Sequence, residues 1–279
     1  MENRGNRTIV FVTGAFVSHH CWDEWQRYFE ARGYACLVPP WLYKDATVAE
    51  LRGRHPDPHL AALRLPQLVD HFAGIIKALP EKPILIGHSY GGLLTQLLLQ
   101  RDLAAAGVAI DSVAPQGVFT FKWSFYRATW GPLGLFTDVN KPFMMSFRQW
   151  QYAFVNGMEL EEQRAAYEQL TIPESKRISR DALTRAAHVD FQRPHVPLLL
   201  VAGERDHIMP ASLNASNYRR YARYAGSVTA FKEFAGRNHF ILGQPGWQEV
   251  ADYVLGWLEQ QELAPESTEA AVPELAGVQ

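Results

Sequence analysis

Residues 83–92 read Pro83-Ile84-Leu85-Ile86-Gly87-His88-Ser89-Tyr90-Gly91-Gly92. An apolar, β-favouring run is broken by a glycine, and a helix-compatible stretch begins at Gly91. The central G-x-S-x-G is meaningful only between a strand and a helix, and it has that context here. In such a turn the serine takes a strained backbone conformation. The residues two before and two after it must be small, because strand and helix approach closely. Gly87 and Gly91 meet that demand, so Ser89 is expected to stand clear of a sheet with its own amide and that of Tyr90 at a helix N-terminus.

The same strand signature recurs on either side. Thr8–Thr13 ends at Gly14, Ala35–Val38 at Pro39-Pro40, Val108–Ala114 at Pro115, Pro197–Ala202 at Gly203, and Val228–Phe234 near Gly236. With Pro83–Ile86 these make six candidate strands. Helical spacing fills the intervals Trp22–Ala31, Leu65–Leu79, Gly91–Ala106, Ala211–Tyr224 and Trp247–Gln261, clearest at Leu94, Leu97 and Leu98. Strand and helix in alternation predict an α/β fold: a mostly parallel sheet of about six strands, helices on both faces, and chemistry at the strands' carboxyl ends.

One segment interrupts the alternation. Between Phe119 and Phe154 lie twelve of the chain's 34 aromatic residues, outside any candidate strand. The reading is a helical cap over 116–189, inserted after the fourth strand, with the α/β core at 1–115 and 190–262. Its aromatic underside either lines an apolar cavity, packs as a small core of its own, or does both. Phe16, Trp123, Phe125, Trp130 and Phe147 are the candidate substrate contacts. From 263 to 279 the Pro, Ala, Glu and Ser content lacks periodicity and predicts a disordered tail.

Composition narrows the function. The chain has 279 residues, 47% of them hydrophobic and 20% charged, with a formal net charge of −2. This excludes collagen-like and wholly disordered chains and supplies no field for a polyanion, so nucleic acid is not an expected partner. Cys21 and Cys36 are the only cysteines and are expected to be reduced. No run is long enough for a membrane span, and Met1–Arg7 is polar, so a cytoplasmic protein is expected, although a processed secreted form would look identical.

A serine hydroxyl needs a base. His239, in Arg237-Asn238-His239-Phe240 after the last strand, falls on the remaining loop at that rim. Asp206, in Gly203-Glu204-Arg205-Asp206-His207-Ile208-Met209-Pro210, is placed to orient it, with Glu204 as the rival acid and Asp111 a remoter one. His88 reads as a packing and hydrogen-bonding residue, and His19-His20 is a bare pair without helical zinc spacing. Neither a metal nor a cofactor is expected. After the first strand, Ala15 would offer its amide beside that of Tyr90 as a two-donor oxyanion hole.

Ser89, Asp206 and His239, in the chain order nucleophile, acid, histidine, resemble the α/β-hydrolase superfamily over residues 8–260. Where many members have His-Gly in the loop after the first strand, this chain has Thr13-Gly14. The resemblance implies a serine hydrolase with a variable cap that sets substrate choice. The aromatic cap points to an uncharged hydrophobic carboxylic ester, since an apolar pocket compensates poorly for burying charge. Thioesterase, lactonase, amidase, C–C hydrolase and perhydrolase chemistry remain alternatives, as does a non-catalytic small-molecule binding protein.

Overall fold

The computed structural model describes residues 7–221 and 226–265. Six parallel strands form one sheet: β1 (Thr8–Val12), β2 (Ala35–Leu37), β3 (Ile84–His88), β4 (Ala106–Ile110), β5 (Leu198–Gly203) and β6 (Thr229–Phe234), in the order β2-β1-β3-β4-β5-β6. β3, β4 and β5 are buried along their whole length, as apolar runs without alternation require when both faces are covered. β2 and β6, at the edges, are partly exposed. The strand order reverses between β1 and β3, and an α/β sheet binds its ligands at such a switch point.

The covering helices are α1 (Asp23–Glu30), α2 (Val48–Gly53), α3 (Pro58–Ala62), α4 (Leu65–Lys77), α5 (Tyr90–Leu99), α10 (Ala211–Tyr221) and α11 (Gln248–Gln260). The short α2 and α3 carry no strong periodicity; they are set by caps, Thr47 with Glu50 for one and Asp57 for the other. Every residue of α5 is buried. Its polar Gln96 is therefore fully engaged, donating to Ser112 Oγ (2.9 Å) and accepting from Asn217 Nδ2 (2.9 Å) and the Tyr221 hydroxyl (3.1 Å).

Two sequence boundaries shift by four residues or more. α5 stops at Leu99 rather than continuing to Ala106, and β4 stops at Ile110 rather than Ala114. Asp111 takes a left-handed conformation (φ 43°), which ends the extended run. Cys21 and Cys36 are free thiols, and burial pushes Cys36 up to about 12. The expected tail begins inside the described chain, where Leu263 is buried and its amide donates to Leu258 O (3.0 Å). Residues 266–279 lie outside the described residues.

Between β4 and β5 run α6 (Trp123–Leu133), α7 (Phe147–Ala153), α8 (Leu160–Leu170) and α9 (Lys176–Asp181). Many hydrogen bonds hold them to the rest, and three sets lie near the site. Asp181 on α9 receives Arg64 bidentately and accepts the first amide of α4 at Leu65 (3.0 Å). The strip around Thr171 runs antiparallel to the loop after β1, with Ile172 N donating to Phe16 O (2.9 Å) and Ser18 N to Leu170 O (2.8 Å). Phe240 N donates to Phe154 O (3.0 Å).

Candidate active site

β3 delivers Ser89 to the switch point, where its φ of 55° and ψ of −116° lie outside the ordinary wells for a residue with a side chain. A non-glycine residue held there costs about 1–3 kcal/mol, and the surroundings over-determine it. Ser89 N donates to Ile110 O (2.8 Å), while Ser89 O accepts from Gly92 N (3.0 Å) and Val113 N (2.9 Å). A Cβ on Gly87 would collide with the Gly91 carbonyl, and one on Gly91 with the Val12 carbonyl. Gly14 is also confined, since a Cβ there would lie 3.0 Å from both His88 O and Ser89 Cβ.

Asp206 and His239 meet beyond the ends of β5 and β6. The Asp206 Oδ2 to His239 Nδ1 distance is 2.6 Å, with both side chains fully buried. Asp206 Oδ1 accepts the amides of Ile208 (2.8 Å) and Met209 (2.7 Å), so the carboxylate is held by three N–H donors. The edge of the Phe154 ring, from α7's end, packs on the imidazole at 4.6 Å. His239 Nε2 is buried without a hydrogen-bond partner, and no hydrogen bond joins it to the Ser89 hydroxyl in this structure.

The rival acids are occupied elsewhere. Glu204 accepts the Gly236 amide (2.8 Å) on the surface. Asp111 accepts the Gly203 amide (2.6 Å), and burial followed by the neighbouring Asp206 charge pushes its carboxyl well above the usual range. It is the neutral partner of that pair. His88 donates from Nε2 to His239 O (2.8 Å), which leaves Nδ1 bare. Burial, reinforced by His239, holds its pKa well below the ordinary histidine value. His20 pairs with Asp23 on the surface (3.2 Å).

Among the described residues His88, Asp111 and His239 could offer ligand atoms within 4.8 Å of one another. His239 Nδ1 is already committed to Asp206, Asp111 Oδ1 to Gly203, and His88 Nε2 to His239 O. A cation there would draw on His239 Nε2, the nitrogen of that ring left without a hydrogen bond.

A cavity of about 360 Å³ opens beside Ser89. Ala15 and Tyr90 line it with Ser89, and neither of their amides has a protein acceptor among the described residues. Its walls are apolar, formed by Phe16, Phe125, Leu133, Phe154, Ile208 and Met209 among others. No Asp, Glu, Lys, Arg or His is among the described lining residues. Of the five residues expected to contact substrate, Phe16 and Phe125 reach this cavity. Trp123, Trp130 and Phe147 do not: the two tryptophans are exposed on α6, and Phe147 packs on Tyr167. A helix can turn only one face to the cavity, and Phe125 and Thr129 occupy it.

Sequence reasoning misses a buried ion pair under the same loop. Lys44 binds Glu174, which also accepts the amides of Phe16 (3.3 Å) and Ser175 (2.8 Å). Phe16 is itself left-handed (φ 68°). A carboxylate from the inserted helices thus fixes the amide next to Ala15, on a loop whose backbone they also pair. Lys44 and Glu174 lie 130 positions apart, and neither stands in a pattern that singles it out.

The chain matches the model of the alpha/beta hydrolase family over residues 9–252. No curated protein matches it. Solved structures similar to it include an extracellular alpha/beta-hydrolase from a Paenibacillus species, 18% identical with a TM-score of 0.66, covering 90% of this chain and 98% of that one. A methylesterase from Arabidopsis is 15% identical (TM-score 0.64; 91% and 99% covered). A monoacylglycerol lipase from Paleococcus ferrophilus is 19% identical (TM-score 0.62; 92% and 96%). At these identities the likeness is one of fold.

Proposed function

Since the chain belongs to the alpha/beta hydrolase family, we propose that it is a serine hydrolase acting on an uncharged, hydrophobic carboxylic ester. The observation that carries this reading is the buried Asp206–His239 pair (2.6 Å) with a bare Nε2, set at the rim where the left-handed Ser89 faces an uncharged cavity. In the proposed reaction His239 Nε2 takes the hydroxyl proton as Ser89 Oγ attacks the acyl carbon. Asp206 holds the imidazole tautomer and stabilises the imidazolium. The Ala15 and Tyr90 amides receive the developing oxyanion, each donor contributing about 10²–10³ in rate. Collapse expels the alcohol with the proton from His239, and water, deprotonated by the same nitrogen, releases the acid and restores Ser89.

The reaction needs neither metal nor cofactor. A substrate charge would find no counter-charge in the lining, which favours neutral esters over charged acyl compounds. Arabidopsis methylesterase and the Paleococcus lipase, both ester-cleaving by name, support the ester reading. Ser89→Ala should lower turnover of p-nitrophenyl esters by about 10⁴-fold or more and abolish labelling by a fluorophosphonate, with the circular dichroism spectrum unchanged. Retained turnover would reject Ser89, and an unlabelled parent chain at full probe excess would favour a binding protein. Amides, thioesters and diketones run beside the esters separate the remaining chemistries.

A further inference from the structure

α6 carries large apolar side chains on its solvent side as well as on the side that faces the cavity. Trp123, Tyr126 and Trp130 follow at helical spacing on one face, and the two tryptophans are 75% and 68% exposed. The face extends at both ends. Phe119 and Phe121 pack edge to face before the helix, and Trp130 meets Phe136 after it; Phe121 is 85% exposed and Phe136 87%. At roughly 200 Å² per aromatic side chain, the exposed share of Phe121, Trp123, Trp130 and Phe136 is on the order of 600 Å². A soluble monomer's largest apolar patch reaches ~300–600 Å².

Two further observations choose the occupant. Residues 116–148 contain Lys122, Arg127, Lys141 and Arg148 against a single acid, Asp138, in a chain whose net charge is −2. Arg220 adds another cation at the edge, donating to Gly117 O (3.1 Å). The patch is also continuous with the cavity, since Phe119 and Tyr126 belong to both.

We infer that this aromatic face seats the protein peripherally on an anionic lipid surface, with the cavity mouth toward the bilayer. Tryptophan and phenylalanine partition into the interfacial region while the flanking lysines and arginines meet anionic headgroups. A second copy fits less well. A twofold contact through the patch would bring two copies of this cation-rich segment together and would cover the cavity wall. Among the described residues no helix is long and apolar enough to cross a membrane.

The test is flotation of the intact chain with vesicles of phosphatidylcholine, alone and with phosphatidylserine. Phosphatidylserine should raise the bound fraction about tenfold. F121S/F136S, altered only at exposed positions off the cavity lining, should bind at least about tenfold less while hydrolysing a water-soluble ester like the parent. K122E/R127E should keep the parent's binding to phosphatidylcholine and lose the gain from phosphatidylserine. Three results would overturn the inference: no binding to either vesicle, equal binding by F121S/F136S, or sedimentation showing a dimer that these substitutions dissociate. Vesicle binding is read without turnover, so its failure is distinct from failure of the hydrolase reading.

Discussion

The two walls of the cavity obey opposite rules. On the sheet side, polar groups are buried and backbone conformations are forced: Ser89 and Asp111 are left-handed, Asp206 and His239 are sealed from water, and glycines stand where no Cβ fits. On the side of the inserted helices, large aromatic groups stand in water and no residue of α6 has a positive φ. Solvation sets the difference. A hydrogen-bonded ionisable group gains orientation from burial, whereas an exposed aromatic face gains nothing until something covers it. The sheet wall is therefore complete in itself, and the helical wall is built for a contact.

The sharpest way to break this comparison is a methyl group on each side. Gly91→Ala drives a Cβ into the Val12 carbonyl, where neither backbone can move without opening the elbow. A loss of about 4 kcal/mol or more is expected in urea unfolding. Gly131→Ala on α6 meets side chains only, Phe143 Cζ at 2.7 Å and Gln149 Nε2 at 3.1 Å, which can shift without moving backbone. It should stay within about 1 kcal/mol of the parent, helped by alanine's helix propensity. Equal losses would mean that the two walls are not differently constrained.

A smaller effect is expected where the walls join. Lys44→Met leaves the Glu174 carboxylate buried with amide donors only and should cost about 3 kcal/mol. It should also reduce kcat through the Phe16 loop, because the amide beside Ala15 loses its fixed partner. Lys122→Met, exposed on the helical side, should change unfolding by no more than about 0.5 kcal/mol.

The pH dependence divides the two buried groups beside the sheet wall's Asp206–His239 pair. His88 is neutral when folded and gains a proton in the unfolded chain below about pH 6.5, so this group makes stability rise with pH there. Asp111 keeps a proton when folded that the unfolded chain releases above about pH 3.9, so it makes stability fall as pH rises. Between those limits the two slopes oppose, each of about 1.4 kcal/mol per pH unit. Asp111→Asn should expose the His88 slope, with stability lost on acidification more steeply than in the parent. His88→Gln should shift the slope to the opposite sign. Parallel denaturation curves for parent and variants would show that neither group is held in the stated form.

How far the sequence reaches follows the range of each interaction. The elbow is legible because strand, turn and helix are local, and the demand for small residues at Gly87 and Gly91 has a chemical signature. Asp206 and His239 are legible by position, each on a loop after a buried strand. The choice of Asp206 over Asp111, made in sequence from its loop position, gains a physical reason from the structure: Asp111 stands beside Asp206 on an adjacent strand end, and burial with the neighbouring Asp206 charge raises its pKa. Trp123 and Trp130 show the limit most plainly. An aromatic-rich helix looks the same in sequence whether its rings face a cavity or water.

By itself the sequence determined the parallel α/β architecture, the position of the strained serine and the chain order of Ser89, Asp206 and His239, because short-range sterics and hydrophobic periodicity act within a few residues. The tertiary structure alone decided that the Asp206 carboxylate touches the His239 imidazole, that Glu174 reaches across to the Phe16 amide, and which face of α6 meets solvent. These depend on how elements far apart in the chain are rotated and packed, and a one-residue change in a helix's facing alters them without altering its composition.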